Sequence, residues 1–101
     1  MQIQLDVMRA KAGRASQLLS AMSNEKRLLI LCQLVEGECT VGELAERLGI
    51  RQSTVSQHLA LLKKDGFVES RRDAQSQFYS LAGIEARAVL RALYDLYCVS
   101  P

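Results

Sequence analysis

Three stretches of the chain predict a mainly α fold with one small β-hairpin: a winged helix-turn-helix that forms a homodimer through its first and last helices. The first stretch is Val41 to Leu62, VGELAERLGIRQSTVSQHLALL, two helical patterns joined at a glycine. The second follows directly, two short alternating runs that read as a hairpin. The third is a pair of apolar stripes near the two ends, more apolar surface than a 101-residue monomer would cover.

Taken in order, the first helix is expected over about Leu5 to Ser20, with Leu5, Met8, Ala12, Ala15, Leu18, Leu19 and Met22 facing inward. The second starts at Asn24, a good N-cap, and sets Leu28, Leu31, Cys32 and Val35 on one face. Glu36-Gly37-Glu38 breaks it. Thr40 caps the third helix and Glu43 completes a capping box. Val41, Leu44, Ala45 and Leu48 recur at helical spacing, and Ala45 is small where two helices cross. Gly49 ends that helix, because a left-handed residue costs glycine little. In the fourth helix Val55, Leu59 and Leu62 face inward, and Asp65-Gly66 stops it. Strands are expected at Phe67–Arg72 and Gln77–Leu81, joined by Asp73-Ala74-Gln75-Ser76. The last helix spans about Ile84 to Tyr97, with Ala86, Val89, Leu90, Leu93, Leu96 and Tyr97 as its stripe.

The fourth helix points outward with Gln52, Ser53, Thr54, Ser56, Gln57 and His58. Gln reads adenine, and Ser and Thr reach base edges or phosphates, so this face suits the major groove of DNA. A hairpin after such a helix is a wing, whose Arg71, Arg72, Gln75 and Ser76 are placed to reach phosphates or the minor groove. The other reading of both features is a helical hairpin and a stabilising ribbon with solvated polar faces. Net charge is only +2, but segment 51–80 carries five basic and three acidic residues and so holds the whole excess. The local field matters more to DNA than the total. A dimer suits a palindromic site, with recognition helices about one DNA turn apart.

Composition narrows the remaining classes. The chain is expected to form one domain over residues 1–101, without linker, repeat or low-complexity run. No stretch approaches the roughly 20 apolar residues of a membrane span, and the opening MQIQLDVMRAKAG does not read as a signal peptide. Three cysteines without a secretion signal point to reduced thiols in the cytoplasm. An enzyme is not expected: there is no C-x-x-C, one histidine, and no carboxylate cluster. No cofactor is expected either.

The order of elements, the segments Ser23–Leu34 and Thr40–Arg72, the block STVSQHLALLKKDGFV and the closing FYSL of the wing together resemble the ArsR family of winged-helix bacterial repressors. The resemblance covers nearly the whole chain. It implies a dimeric repressor that leaves its operator DNA when an inducer binds, often a metal. The family's thiolate positions match Thr40 and Gly42 here, neither of them a metal-binding thiolate, and the last helix has no histidine. By ligand count, no metal site is expected. The cysteines resemble those of the persulfide-sensing branch. Cys32 stands in Arg27-Leu28-Leu29-Ile30-Leu31-Cys32, and Cys98 in Leu93-Tyr94-Asp95-Leu96-Tyr97-Cys98. The branch implies that a sulfane-sulfur inducer joins Cys32 to Cys98 through a polysulfide bridge and weakens DNA binding. From the residues alone, Cys32 also reads as a small core hydrophobe and Cys98 as an idle thiol. Cys39 is an extra thiol without an assigned role. A general disulfide-forming repressor and an uninducible DNA-binding protein remain open beside the persulfide sensor.

Overall fold

The computed structural model describes residues 1–99. Five helices and one hairpin follow in order: α1 Leu5–Met22, α2 Glu25–Val35, α3 Val41–Leu48, α4 Gln52–Lys64, β1 Val68–Asp73, β2 Ser76–Leu81 and α5 Glu85–Tyr97. The local signals act as their chemistry requires. Asn24 accepts the Arg27 N–H at 3.0 Å and starts α2. Thr40 accepts the Glu43 N–H at 3.1 Å while Glu43 accepts the Thr40 N–H at 2.9 Å, a complete capping box on α3. Gly49 closes α3 at φ 65°, a left-handed conformation that also turns the chain toward α4.

The core gathers one side of every element. Val55, Leu59 and Leu62 of α4 are buried against Leu44 and Ala45 of α3, with Ile30, Leu31 and Leu34 of α2, Phe67 and Val68, Leu81, and Ala86 and Leu90 of α5. The hairpin is antiparallel, with Val68 opposite Leu81 at its base and Asp73 opposite Ser76 at its tip. Cys39 adds a short third pairing. Its N–H donates to Tyr79 O at 3.0 Å and its carbonyl accepts the Tyr79 N–H at 2.8 Å.

Three expectations need correction. The apolar stripe of α1 is not inward in the single chain: only Leu18, Ala21 and Met22 are buried, while Leu5 is 64% and Leu19 61% exposed. Ala12, Ala15 and Met8 are exposed too, because α1 packs on α2 only near its C-terminal end. In α2 the buried residues are Ile30, Leu31 and Leu34, and Cys32 is exposed. This helix is apolar almost all round, so spacing did not decide which side faces in. The hairpin loop is two residues, Ala74-Gln75, not four. Ala74 takes φ 56°, the positive φ that such turns demand, without the Asn-Gly or Asp-Gly signal that announces them. The stripe expected on α5 is present and divides between core and surface. Ala86 and Leu90 are buried and Val89 and Leu93 half-buried, but Leu96 is 73% exposed and Tyr97 is exposed.

Candidate nucleic-acid interface and thiol pair

Burial of Val55, Leu59 and Leu62 fixes which side of α4 is offered to a partner. At 100° per residue, Ser53, Gln57, Ala60 and Lys64 lie opposite that stripe. All four are exposed, as are Gln52 and Ser56 on the flanks. Thr54 is half-buried. His58 departs from its expected outward place. It is half-buried, its Nδ1 has no hydrogen-bond partner, and burial followed by the nearby charges of Arg27 and Lys26 holds its pKa below the ordinary value of 6.5. Both causes favour its neutral form, and the two charges lie at the start of α2.

The two wing arginines point to opposite sides, as successive strand residues must. Arg71 is engaged within the protein. Its Nε donates to Glu38 Oε2 at 3.0 Å, its Nη2 pairs with Glu38 Oε1, and its guanidinium lies 4.8 Å from the Phe78 ring centroid. Asp73 stands 3.8 Å away on the same side. The paired guanidinium holds the Glu38 carboxyl below the usual carboxylate range. Arg72 shares its side with Ser70, Gln77 and Tyr79 and is exposed, with no ion pair among the described residues. Gln75 and Ser76 at the tip are exposed. Reading by residue type did not find Glu38, the clamp on Arg71, because the two lie 33 positions apart.

The structure brings two of the three thiols together. Cys32 on α2 and Cys98 at the C-cap of α5 are both exposed and unbridged. Burial, and after it the charge of a Cys98 thiolate, push the Cys32 thiol above an ordinary cysteine's value. The two stand on helices that pack against each other. Cys39 is set apart from them. It is buried beneath the wing and accepts a hydrogen bond from Arg47 Nη1 at 3.2 Å; burial raises its pKa although the arginine charge acts the other way. Thr40 and Gly42 offer no thiolate. Among the described residues no group of three or more His, Cys, Asp or Glu side chains is placed to hold a metal. Among the described residues no helix is long and apolar enough to cross a membrane.

Residues 24–70, the capped α2 through the first wing strand, match the model of the bacterial regulatory protein arsR family. Over 94 residues the chain is 48% identical to the transcriptional activator HlyU of Vibrio cholerae, covering 93% of this chain and 87% of that protein. The chain belongs to the ArsR family. Its members here are DNA-binding transcriptional regulators, not enzymes. The chain is also 42% identical over 91 residues to the biofilm growth-associated repressor of Xylella fastidiosa, covering 90% and 80% of the two. The crystal structure of the X. fastidiosa transcriptional repressor BigR superposes with a TM-score of 0.89 at 39% identity, over 97% of this chain and all of that one. Reduced HlyU from V. cholerae gives 0.85 at 48% identity, over 91% and 97%. A homodimeric winged helix-turn-helix DNA-binding domain from Mycobacterium bovis gives 0.78 at 31%, over 95% and 89%. The winged helix-turn-helix architecture is thus common to all of them.

The thiol geometry makes a direct prediction. Alkylation of Cys32 in the reduced protein, followed by peptide mass spectrometry, should reach half-maximal rate at a pH above that of a cysteine in a short peptide. Cys98→Ser should lower this midpoint only part of the way, since burial is the larger cause. An unmoved midpoint in Cys98→Ser would mean that the two sulfurs do not sense each other.

Proposed function

We propose that this ArsR-family regulator is a dimeric repressor that holds a palindromic operator in its reduced form. It releases the operator when sulfane sulfur joins Cys32 to Cys98. The observation that carries the sensing half is the pair of exposed free thiols on α2 and at the end of α5, two helices that pack against each other. The reduced state in which the HlyU relative was solved supports thiol chemistry in this branch. Operator contact falls to Gln52, Ser53, Thr54, Ser56 and Gln57 on α4 and to Arg72, Gln75 and Ser76 on the wing. Arg71, clamped by Glu38, and neutral His58 support the wing and α4 rather than touch DNA.

The dimer follows from what the single chain leaves uncovered. Leu5, Met8 and Leu19 on α1 and Tyr94, Leu96 and Tyr97 on α5 form apolar surface that a monomer does not hide. A two-fold partner covers both stripes at once and sets two α4 helices about one DNA turn apart. The M. bovis relative is homodimeric.

The chemistry balances without an external oxidant. The Cys32 thiolate takes a sulfane sulfur from one persulfide and a second from another, releasing a thiol each time. The Cys98 thiolate then attacks the sulfur next to the terminal one and expels hydrosulfide, leaving a trisulfide between α2 and α5. A plain disulfide needs Cα atoms within about 7 Å, whereas a longer bridge tolerates a wider gap. The nearest rival is a disulfide formed by peroxide, which would use the same two thiols without added sulfur.

Three outcomes are expected. Leu96→Asp, at a surface position of the single chain, should leave the fold by circular dichroism but convert a dimer to a monomer in sedimentation; a monomeric parent, or a variant that stays dimeric, refutes the interface. Gln57→Ala should cost on the order of 1–3 kcal/mol on the operator and little on scrambled duplex in anisotropy titrations. Equal losses on both would remove its base-reading role. Glutathione persulfide should weaken DNA binding by about 5–150-fold, with a Cys32–Cys98 peptide carrying extra sulfur in the mass spectrum. Cys32→Ser and Cys98→Ser should bind DNA and ignore the persulfide, while Cys39→Ser responds as the parent does. A response that survives in either of the first two excludes the pair, and a bridge without extra sulfur selects the peroxide reading.

A further inference from the structure

Where the C-terminal end of α4 meets the wing, three side chains converge and a fourth, Arg72, shares their face of the ribbon. Lys63 Nζ donates to Ser70 Oγ at 2.8 Å, and Gln77 Nε2 donates to the same oxygen at 2.8 Å. Arg72 stands directly across the ribbon from Gln77, and Ser70 lies two positions before Arg72, so all three share one ribbon face. Donors dominate this notch. A hydroxyl that accepts two hydrogen bonds still has its own proton to give, Lys63 retains two N–H groups, Gln77 retains one, and Arg72 has its whole guanidinium.

No carboxylate answers them. Neither Lys63 nor Arg72 forms an ion pair among the described residues. The acids of the wing, Glu69 and Asp73, lie on the opposite face with Arg71, where Glu38 joins them. The ribbon therefore separates charge: donors and cations toward α4, acids and their one arginine away from it. Lys63 and Lys64 together also outweigh the negative pole of the α4 C-terminus, about half a charge.

We propose that Lys63, Ser70, Arg72 and Gln77 form a binding notch for one backbone phosphate of the DNA. This rests on the DNA-binding reading above and moves the main wing contact from the tip loop to the α4-facing side of the ribbon, from Ser70 to the Arg72–Gln77 pair. The ligand is an anion with several acceptor oxygens, which the four groups meet from different directions. Ser70 organises the notch by holding the Lys63 and Gln77 donors together. Phosphate contact positions the protein without reading sequence, so the notch fixes where α4 sits in the groove.

The test is the salt dependence of binding to a short duplex of scrambled sequence, by fluorescence anisotropy. Each phosphate neutralised contributes about 0.9 to the slope of log affinity against log salt. Lys63→Met keeps the aliphatic stem and should lower the slope, and Lys63→Met with Arg72→Gln should lower it by about 0.9 in all, the share of one phosphate, weakening binding about fivefold at about 0.15 M salt. Lys63→Arg should restore the slope. Arg72→Gln should act like Lys63→Met, which also serves should the first variant fold poorly. Arg71→Gln, on the other face of the same hairpin, should leave the slope unchanged. A parental slope in folded Lys63→Met and Arg72→Gln overturns the notch while DNA binding stands. An equal loss in Arg71→Gln overturns it too, since any wing cation would then serve. A parent that binds no duplex overturns the notch together with the function it rests on.

Discussion

The surface of this protein depends on the burial of one side of α4. Val55, Leu59 and Leu62 are withdrawn from water almost completely, each worth about 1.5–3 kcal/mol relative to exposure. That burial holds the helix at a fixed rotation, so that Ser53 and Gln57 are turned outward whether or not DNA is present. Under the proposed function, a helix so anchored brings a ready-made face to the groove. The same rotation leaves His58 half-buried, where burial and the nearby charges of Arg27 and Lys26 favour its neutral form.

The wing needs a different kind of support. A two-stranded ribbon alone is marginal in water. Here its base is buried through Val68 and Leu81, its second strand gains the Cys39 backbone as a partial third neighbour, and its outer face is tied by the Glu38–Arg71 pair. Both tethers come from the short connection that follows α2. On the far side of α2, Arg87 of α5 donates to the Val35 carbonyl at 3.0 Å, at the C-terminal end of α2. The helix that carries Cys32 thus ends at a junction shared by α5 and the wing, and under the proposed chemistry a covalent pull between α2 and α5 is applied close to the wing's anchors.

What could be read in the sequence was what local chemistry dictates. Asn24, the Thr40–Glu43 box and Gly49 act within a few residues of themselves, so helix starts and stops followed from them. The α4 stripe was readable because its other face is polar. The rotation of α2 was not, since Leu28, Leu29, Ile30, Leu31 and Cys32 present apolar atoms in every direction and only packing chooses among them. The two-residue turn was hidden by an alanine in a conformation that usually calls for glycine. Glu38–Arg71 and Cys39–Tyr79 join positions more than thirty residues apart, beyond the reach of any pattern along the chain. The stripe of α1 was readable as apolar and, with that of α5, as more than one chain would cover, but not which of its residues the chain itself buries: of the expected set only Leu18 and Met22.

Cys98 sits at the very end of α5, its N–H held to Tyr94 O at 2.8 Å, whereas Cys32 lies inside α2 with helix on both sides. A bond between them would join a stiff anchor to a compliant one. Helix ends fray at little cost, so the last turn of α5 can lengthen or recoil to suit the span of the bridge, while α2 bears the load without yielding. Such a linkage tolerates bridges of different lengths much as a sprung hinge tolerates doors of different thickness, and the force reaches the body of the protein through α2.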